Sequence, residues 1–172
     1  AIEIDRKFAA AYVERGNSYD DKKQYDRAIA DLDAAIAIEP RNVRALNLRG
    51  IVHKNMGAYD EAIADHSLAI EISPKEAWGY SVRSNALREK GEFDRAIADA
   101  GKAIEIDPKY AGAYNNRAWA YFRSGKPAQG LADAEKSLEL RPNENAAAEV
   151  NYHLAGLYAD AGKRDRARDH LR

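Results

Sequence analysis

The fold of this chain is decided by the stretch Ala28-Ile-Ala-Asp-Leu-Asp-Ala-Ala-Ile-Ala-Ile-Glu-Pro40, which recurs along the sequence. Copies run from Ala62 to Pro74, from Ala96 to Pro108 and, with more substitutions, from Gly130 to Pro142. The closing prolines follow one another at intervals of 34 residues. A fixed period of this length predicts a repeat protein, in which each unit buries its apolar face against its neighbours.

The period divides the chain into four regular repeats. Repeats 1 to 4 are residues 9–42, 43–76, 77–110 and 111–144. In each repeat, apolar and small residues fall at helical spacing in two runs, which predicts two helices joined by a short turn. Gly57, Gly91 and Gly125 occupy the turn, where a residue that tolerates positive φ ends the first helix, and Lys23 takes this place in repeat 1. The recurring proline ends the second helix, because it cannot continue the helical hydrogen-bond ladder.

Both ends of the chain depart from the period. Residues 1–8 copy residues 103–110, so we expect them to form the end of a preceding repeat helix in a fragment of a longer repeat protein. Arg6 stands where the other repeats have proline. Residues 145–172 contain three extra residues before their turn glycine and predict an irregular last repeat or a terminal cap. All 172 residues then form a single array.

The composition excludes several classes of function. Lys and Arg number 27 against 28 Asp and Glu, so no large net charge would attract nucleic acid or an anionic membrane. The absence of cysteine excludes disulfides and thiolate metal sites, and it suits the cytoplasm and the periplasm alike, with the cytoplasm slightly favoured. No apolar run approaches the ~20 residues that a membrane-spanning helix needs. We therefore expect neither a nucleic-acid partner nor membrane insertion.

The repeats resemble the tetratricopeptide repeat family, whose helix-turn-helix unit places aromatic, small and proline residues at fixed spacings. Repeat 1 matches that pattern with Tyr12, Gly16, Tyr19, Ala28, Ala35 and Pro40. The dipeptide Arg15-Gly16, repeated as Arg49-Gly50, is similar to the bacterial variant with Arg-Gly in its first helix. The resemblance implies an all-α fold, a right-handed superhelical solenoid of stacked antiparallel helical hairpins, and a role in protein–protein interaction.

An arginine in the first helix and an aspartate sixteen residues later recur together in four repeats. The pairs are Arg15 with Asp31, Arg49 with Asp65, Arg83 with Asp99, and Arg117 with Asp133. In the last repeat Leu154 and His170 replace both members, which suggests that the two side chains contact each other. We predict structural ion pairs that link the two helices of a hairpin or adjacent repeats. The alternative is a ladder of arginines that binds a ligand.

Two histidines occupy positions that are apolar or aromatic in other repeats. His53 aligns with Tyr19 and Tyr121, and His66 aligns with Leu32. We expect both to be packed side chains, with metal binding or pH sensing as the alternatives. No third ligand has suitable spacing, so we predict neither a metal site nor a cofactor. Catalytic motifs and a cysteine nucleophile are absent as well, so we predict a noncatalytic chain.

The resemblance implies that the first helices line a concave groove. Carried over position by position, the groove candidates are Asn17, Asn47, Ile51, Trp78, Ser81, Asn85, Asn115, Asn116, Trp119 and Phe122, with Glu149, Tyr152 and His153 in the last repeat. A spaced row of asparagine amides, which both donate and accept hydrogen bonds, would hold an extended peptide by its backbone. The aromatic residues would anchor one apolar side chain.

We therefore predict a scaffold that binds an extended peptide or a helix of another protein in the groove. One alternative is self-assembly into a homo-oligomer through the ends of the solenoid. Another is a regulatory or substrate-presenting arm of an enzyme whose catalytic domain lies outside this chain. A receptor for chaperone C-termini is disfavoured, because Ser81, Glu149 and His153 stand where that subtype has cations.

Overall fold

The chain folds into helices that follow the 34-residue period. The computed structural model describes residues 2–140, 156 and 158, with only the backbone of residues 2–7. Its helices are α1 (Ile2–Asp21), α2 (Tyr25–Ile38), α3 (Val43–Asn55), α4 (Tyr59–Ile72), α5 (Ala77–Lys90), α6 (Phe93–Ile106), α7 (Ala111–Arg123) and α8 (Pro127–Leu140). Within this described part of the chain there is no strand, which confirms the all-α fold class.

The helices form two compact modules. The N-terminal module is Ala1–Ala86 and the C-terminal module is Leu87–Arg172, so that the boundary falls within α5. In the N-terminal module α1 packs on α2, α3 packs on α4, and α2 also contacts α3. In the C-terminal module α7 packs on α8 and contacts α6. Most of the predicted last repeat, including Glu149, Tyr152, His153, Leu154 and His170, lies outside the described residues.

The start of the chain differs from the expectation of a separate helix end at residues 1–8. The first helix is continuous from Ile2 to Asp21, without the turn that separates successive repeats elsewhere. Later turns contain proline, which lacks the amide hydrogen needed to continue a helix. Arg6 has that hydrogen, so nothing in the local sequence stops α1 there.

Each module has an apolar core that depends on close helix crossings. In the N-terminal module the buried cluster contains Val13, Ala28, Leu32, Ala35, Ala45, Leu48 and Val52. In the C-terminal module it contains Ala118, Leu131, Ala134 and Tyr158. A Cβ atom on Gly16 would lie 3.0 Å from Leu32 Cγ, and one on Gly130 would lie 2.7 Å from the Ala118 carbonyl oxygen. These glycines therefore allow the two helices of a hairpin to touch.

The turn inside each hairpin requires a left-handed residue. Gly57, Gly91 and Gly125 have φ angles of 81°, 92° and 76°, and Lys23 has 57° at the same position of repeat 1. The amide that follows Lys23 bonds to the Tyr19 carbonyl five residues earlier, and the equivalent bond recurs in the other three turns. This is the Schellman arrangement, which satisfies carbonyls at a helix end. A side chain with Cβ is disfavoured in that conformation.

Replacing Lys23 by glycine should therefore stabilise the protein. We expect the free energy of unfolding to rise by about 0.5–1 kcal/mol, because relief of the left-handed strain exceeds the entropy cost of glycine. Gly57→Ala is the matched control and should lower it. Denaturant titration followed by circular dichroism measures both changes, and a destabilised Lys23→Gly variant would contradict the strain argument.

Candidate functional site

The arginine and aspartate pairs of repeats 1, 2 and 4 are in contact. Arg15 donates from Nε and Nη2 to the two carboxylate oxygens of Asp31 at 2.6 and 2.7 Å. The corresponding distances are 3.0 and 2.6 Å from Arg49 to Asp65, and 2.6 and 2.7 Å from Arg117 to Asp133. These side-chain hydrogen bonds raise the pKa of each arginine above its usual value. Each bidentate pair joins the first helix of a hairpin to the second.

Two of the recurring arginines also bond to the preceding hairpin. Arg49 Nη1 donates to Asp33 Oδ1 at 2.6 Å, and Arg83 Nη1 donates to Ser67 Oγ at 3.0 Å. Neither acceptor was identified from the sequence, because the equivalent position changes from Asp to Ser to Gly between repeats. Arg83 and Asp99 fall in different modules, so their pairing stays a prediction. The contacting arginines thus direct donors at protein acceptors, as the predicted structural ion pairs require.

The contribution of an ion pair to the free energy of unfolding can be measured at Arg117 and Asp133. Arg117→Leu leaves the buried Asp133 carboxylate unpaired and should cost about 2–3 kcal/mol, whereas Asp133→Leu should cost less because Arg117 can reach solvent. The double variant should cost less than the sum of the single variants by about 1 kcal/mol or more. Denaturant unfolding of the wild type and the three variants gives this coupling energy. If the two single changes in free energy of unfolding were strictly additive, the two side chains would not stabilise each other.

Gly101 is the equivalent of Asp33 in repeat 3. It therefore stands in relation to Arg117 as Asp33 stands to Arg49. A Cβ atom on Gly101 would lie 3.7 Å from Arg117 Nη1 and within 4 Å of no other side chain. Gly101→Asp should therefore add the absent acceptor and raise the free energy of unfolding by about 0.5–1 kcal/mol.

Gly101→Asn is the matched control, because Asn and Asp have similar helix propensities and only Asp carries charge. The excess stability of Gly101→Asp over Gly101→Asn should disappear when Arg117 is replaced by leucine. An excess that persists in that background would show that the gain does not come from the ion pair.

Two of the groove candidates are buried, which corrects the sequence prediction. Asn47 is 0% exposed and Ser81 is 2% exposed. They share their place in the repeat with Val13, which is a core residue, and with Asn115, whose Oδ1 atom is buried. This place on the first helix faces the protein interior, so the asparagine row is not a continuous surface feature.

The remaining candidates on the first helices are partly exposed. They are Asn17, Ile51, Trp78, Asn85, Asn115, Asn116, Trp119 and Phe122. Ile51 and Trp78 pack against the core cluster of the N-terminal module. Asn17 and Asn85 share their register with Ile51 and Trp119, four residues after the buried place. The second register is therefore partly exposed in all four repeats, whereas the first is buried in repeats 1 to 3 and partly exposed only at Asn115.

An aromatic cluster lies on α7 in the C-terminal module. The rings of Trp119 and Phe122 have centroids 5.1 Å apart and planes tilted by 59°. Phe122 also packs against the apolar core of the C-terminal module, which orders its ring. The guanidinium carbon of Arg88 lies 5.8 Å from the Trp119 ring, and Arg88 Nη2 donates to Glu89 at 2.6 Å. We call Arg88, Trp119 and Phe122 the aromatic cluster.

Sequence reasoning missed Arg88, although a signal for it existed. Arg88 stands 34 residues before Phe122 and therefore at the same place of the repeat. Trp78 belongs to the N-terminal module, so a patch that joins it to Trp119 stays a prediction.

The first helices of the N-terminal module present charged and amide groups instead. Arg44 of α3 forms an ion pair with Glu14 of α1. Asn55 Nδ2 of α3 donates to Asp20 Oδ1 of α1 at 2.9 Å. Both contacts join neighbouring first helices, one near each end of α3.

The two histidines lie in different environments. His53 Nδ1 lies 3.1 Å from Asp65 Oδ2 on a partly exposed edge, whereas His66 is 0% exposed and lies 3.1 Å from Asn47 Oδ1. In the part of the chain that the structure describes, no three His, Asp or Glu side chains are grouped as a metal site. None of the described helices has the length and apolar character of a membrane-spanning segment.

Family models match most of the repeated part of the chain. A model described as TPR repeat matches residues 16–57 and 85–125. Models described as tetratricopeptide repeat match residues 111–144 and, for a second such model, residues 43–76. The last two ranges have the same bounds as predicted repeats 4 and 2. No curated protein matches the chain.

Solved structures share the fold at low sequence identity. TTC0263, a thermophilic TPR protein in Thermus thermophilus, is 22% identical and covers 94% of this chain and 87% of its own, with a TM-score of 0.82. The Pseudomonas aeruginosa pilF structure is 21% identical and covers 96% and 74%, with a TM-score of 0.83. YrrB, described as a TPR protein with an unusual peptide-binding site, is 20% identical and covers 99% and 87%, with a TM-score of 0.67.

Proposed function

We propose that this chain, which belongs to the tetratricopeptide repeat family, is a noncatalytic scaffold that binds an extended peptide or a helix of a partner protein along its first helices. Interaction with other proteins is typical of the family. The description of YrrB as having a peptide-binding site supports the same class of ligand here.

The aromatic cluster is the observation that carries this proposal. Trp119 is partly exposed although it is large and apolar, and tryptophan is enriched among the residues that dominate binding energy at interfaces. Its ring is fixed on one side by Phe122, which reaches the core, and by the guanidinium of Arg88. A side chain that is already ordered loses little conformational entropy when a ligand binds. The cluster therefore suits the anchoring of one apolar side chain of a partner.

Arg88 adds a polar element to the anchor. Its side chain is 12% exposed, and Glu89 accepts one of its hydrogen bonds. A planar guanidinium beside an aromatic ring can stack with a second planar group or attract a carboxylate. We therefore expect selected peptides to contain a bulky apolar residue beside a planar or polar group.

Selection from a random peptide library tests this function. Peptides selected on the wild-type chain should bind Trp119→Ala about 10- to 30-fold more weakly, as expected when an interface anchor is truncated. Fluorescence polarisation with labelled peptides measures the affinities, and circular dichroism checks that the variant is folded.

Leu68→Ala is the matched control, since Leu68 is an exposed apolar residue on a second helix and should leave the affinity unchanged. Failure to select any peptide, or equal binding by wild type and Trp119→Ala, would remove the proposed groove function.

A further inference from the structure

His66 lies at the closest point between α3 and α4. A Cβ atom on Gly50 would lie only 2.5 Å from its Cε1 atom, so the imidazole packs directly on the backbone of α3. In repeat 1 the same crossing is formed by Gly16 and Leu32, and the corresponding residues of repeats 3 and 4 are Ala100 and Ala134. Among these four aligned positions, repeat 2 alone places a titratable side chain in the crossing.

The hydrogen bonds of His66 suit only its neutral form. Its Nδ1 atom lies 3.1 Å from Asn47 Oδ1, and because an amide oxygen only accepts, Nδ1 carries the proton. Nε2 of His66 and Nδ2 of Asn47 are both buried without a hydrogen-bond partner among the described residues. A proton added to Nε2 would create a buried charged donor with no acceptor among the described residues, which costs free energy.

The groups that face His66 make a positive charge less favourable still. The groups whose charge acts on His66 are Arg83 on α5, and Lys54 and His53 on α3. Asp65, the neighbouring carboxylate on α4, is held by Arg49 and faces His53. Burial first, and then the charges of Arg83, Lys54 and His53, lower the pKa of His66 to about 3.

We propose that His66 makes repeat 2 an acid-sensitive latch, in which the crossing of α3 and α4 accepts only the neutral imidazole and is therefore less stable in mild acid than at neutral pH. The closed crossing holds His66 neutral, whereas in the opened repeat the histidine meets water and binds a proton at its ordinary pKa of about 6.5. Stability from this site is therefore full above pH 6.5 and falls as the pH drops from 6.5 towards 3.

The latch acts on part of the chain. Opening the crossing separates α3 from α4. Helix α3 also carries Arg44 and Asn55, which bond to Glu14 and Asp20 of α1. Repeats 3 and 4 have Ala100 and Ala134 at the equivalent positions, so these two positions cannot take up a proton. Acid would weaken the first-helix surface of the N-terminal module while the aromatic cluster stays in place.

Hydrogen exchange with mass spectrometry at pH 7.5 and pH 5.0 tests this latch, after correction for intrinsic exchange rates. For the wild type, the opening equilibrium constant of amides in α3 and α4 should rise about 30-fold at pH 5.0, from the difference between the two pKa values. Amides in α7 and α8 should show no comparable rise. An equal rise in both modules would overturn the proposal.

Two variants separate His66 from other acid effects. Asn47→Val combined with His66→Leu copies the pair Val13 and Leu32 of repeat 1, and it should abolish the acid-induced rise in α3 and α4. His53→Tyr copies Tyr19 and should keep that rise. A rise that survives in the double variant, or disappears in His53→Tyr alone, would assign the effect to another group.

The wild type provides a measurement that does not depend on whether the double variant folds. The His66 ring proton followed by NMR should keep its neutral chemical shift while α3 amides remain protected. Titration of that proton near pH 6.5 in the closed, protected state would overturn the proposal.

Discussion

The close approach of the two helices in the hairpins α1–α2, α3–α4 and α7–α8 is the constraint on which the structure depends. A glycine on one helix lies against a larger side chain or the backbone of the other, as at Gly16 with Leu32 and at Gly130 with the Ala118 carbonyl. At this crossing the arginine of the first helix reaches the aspartate of the second in bidentate geometry. The crossing therefore sets both the apolar packing and the polar links, and in repeat 2 it also sets the environment of His66.

Much of the fold could be predicted from the sequence, because its boundaries are fixed by local chemistry. Glycine at the inner turn and proline after the second helix act through their own backbone, so their recurrence locates each hairpin. The start of the chain was less predictable. Residues 1–8 copy a helix end, but without proline at position 6 the helix continues, and similarity to another segment did not reveal this difference.

The candidate site was only partly predictable, because exposure depends on small rotations about a helix axis. Asn47 and Ile51 are four residues apart, which places them only about 40° apart around the helix. That rotation separates a buried amide from a partly exposed side chain, and packing of the neighbouring helices decides it. The arginine and aspartate pairs were visible because both members recur together. The acceptors Asp33 and Ser67 could not be predicted in this way, because the residue type at their position changes from repeat to repeat.

That changing contact makes the joints between hairpins mechanically unequal. The joint in front of Arg49 is closed by a charged acceptor, the joint in front of Arg83 by a hydroxyl, and the joint in front of Arg117 has a glycine with no side chain to offer. The arginine contact therefore contributes less resistance to shear at each successive joint. Under tension, each joint would accordingly respond with a stiffness of its own, although the repeats share one fold.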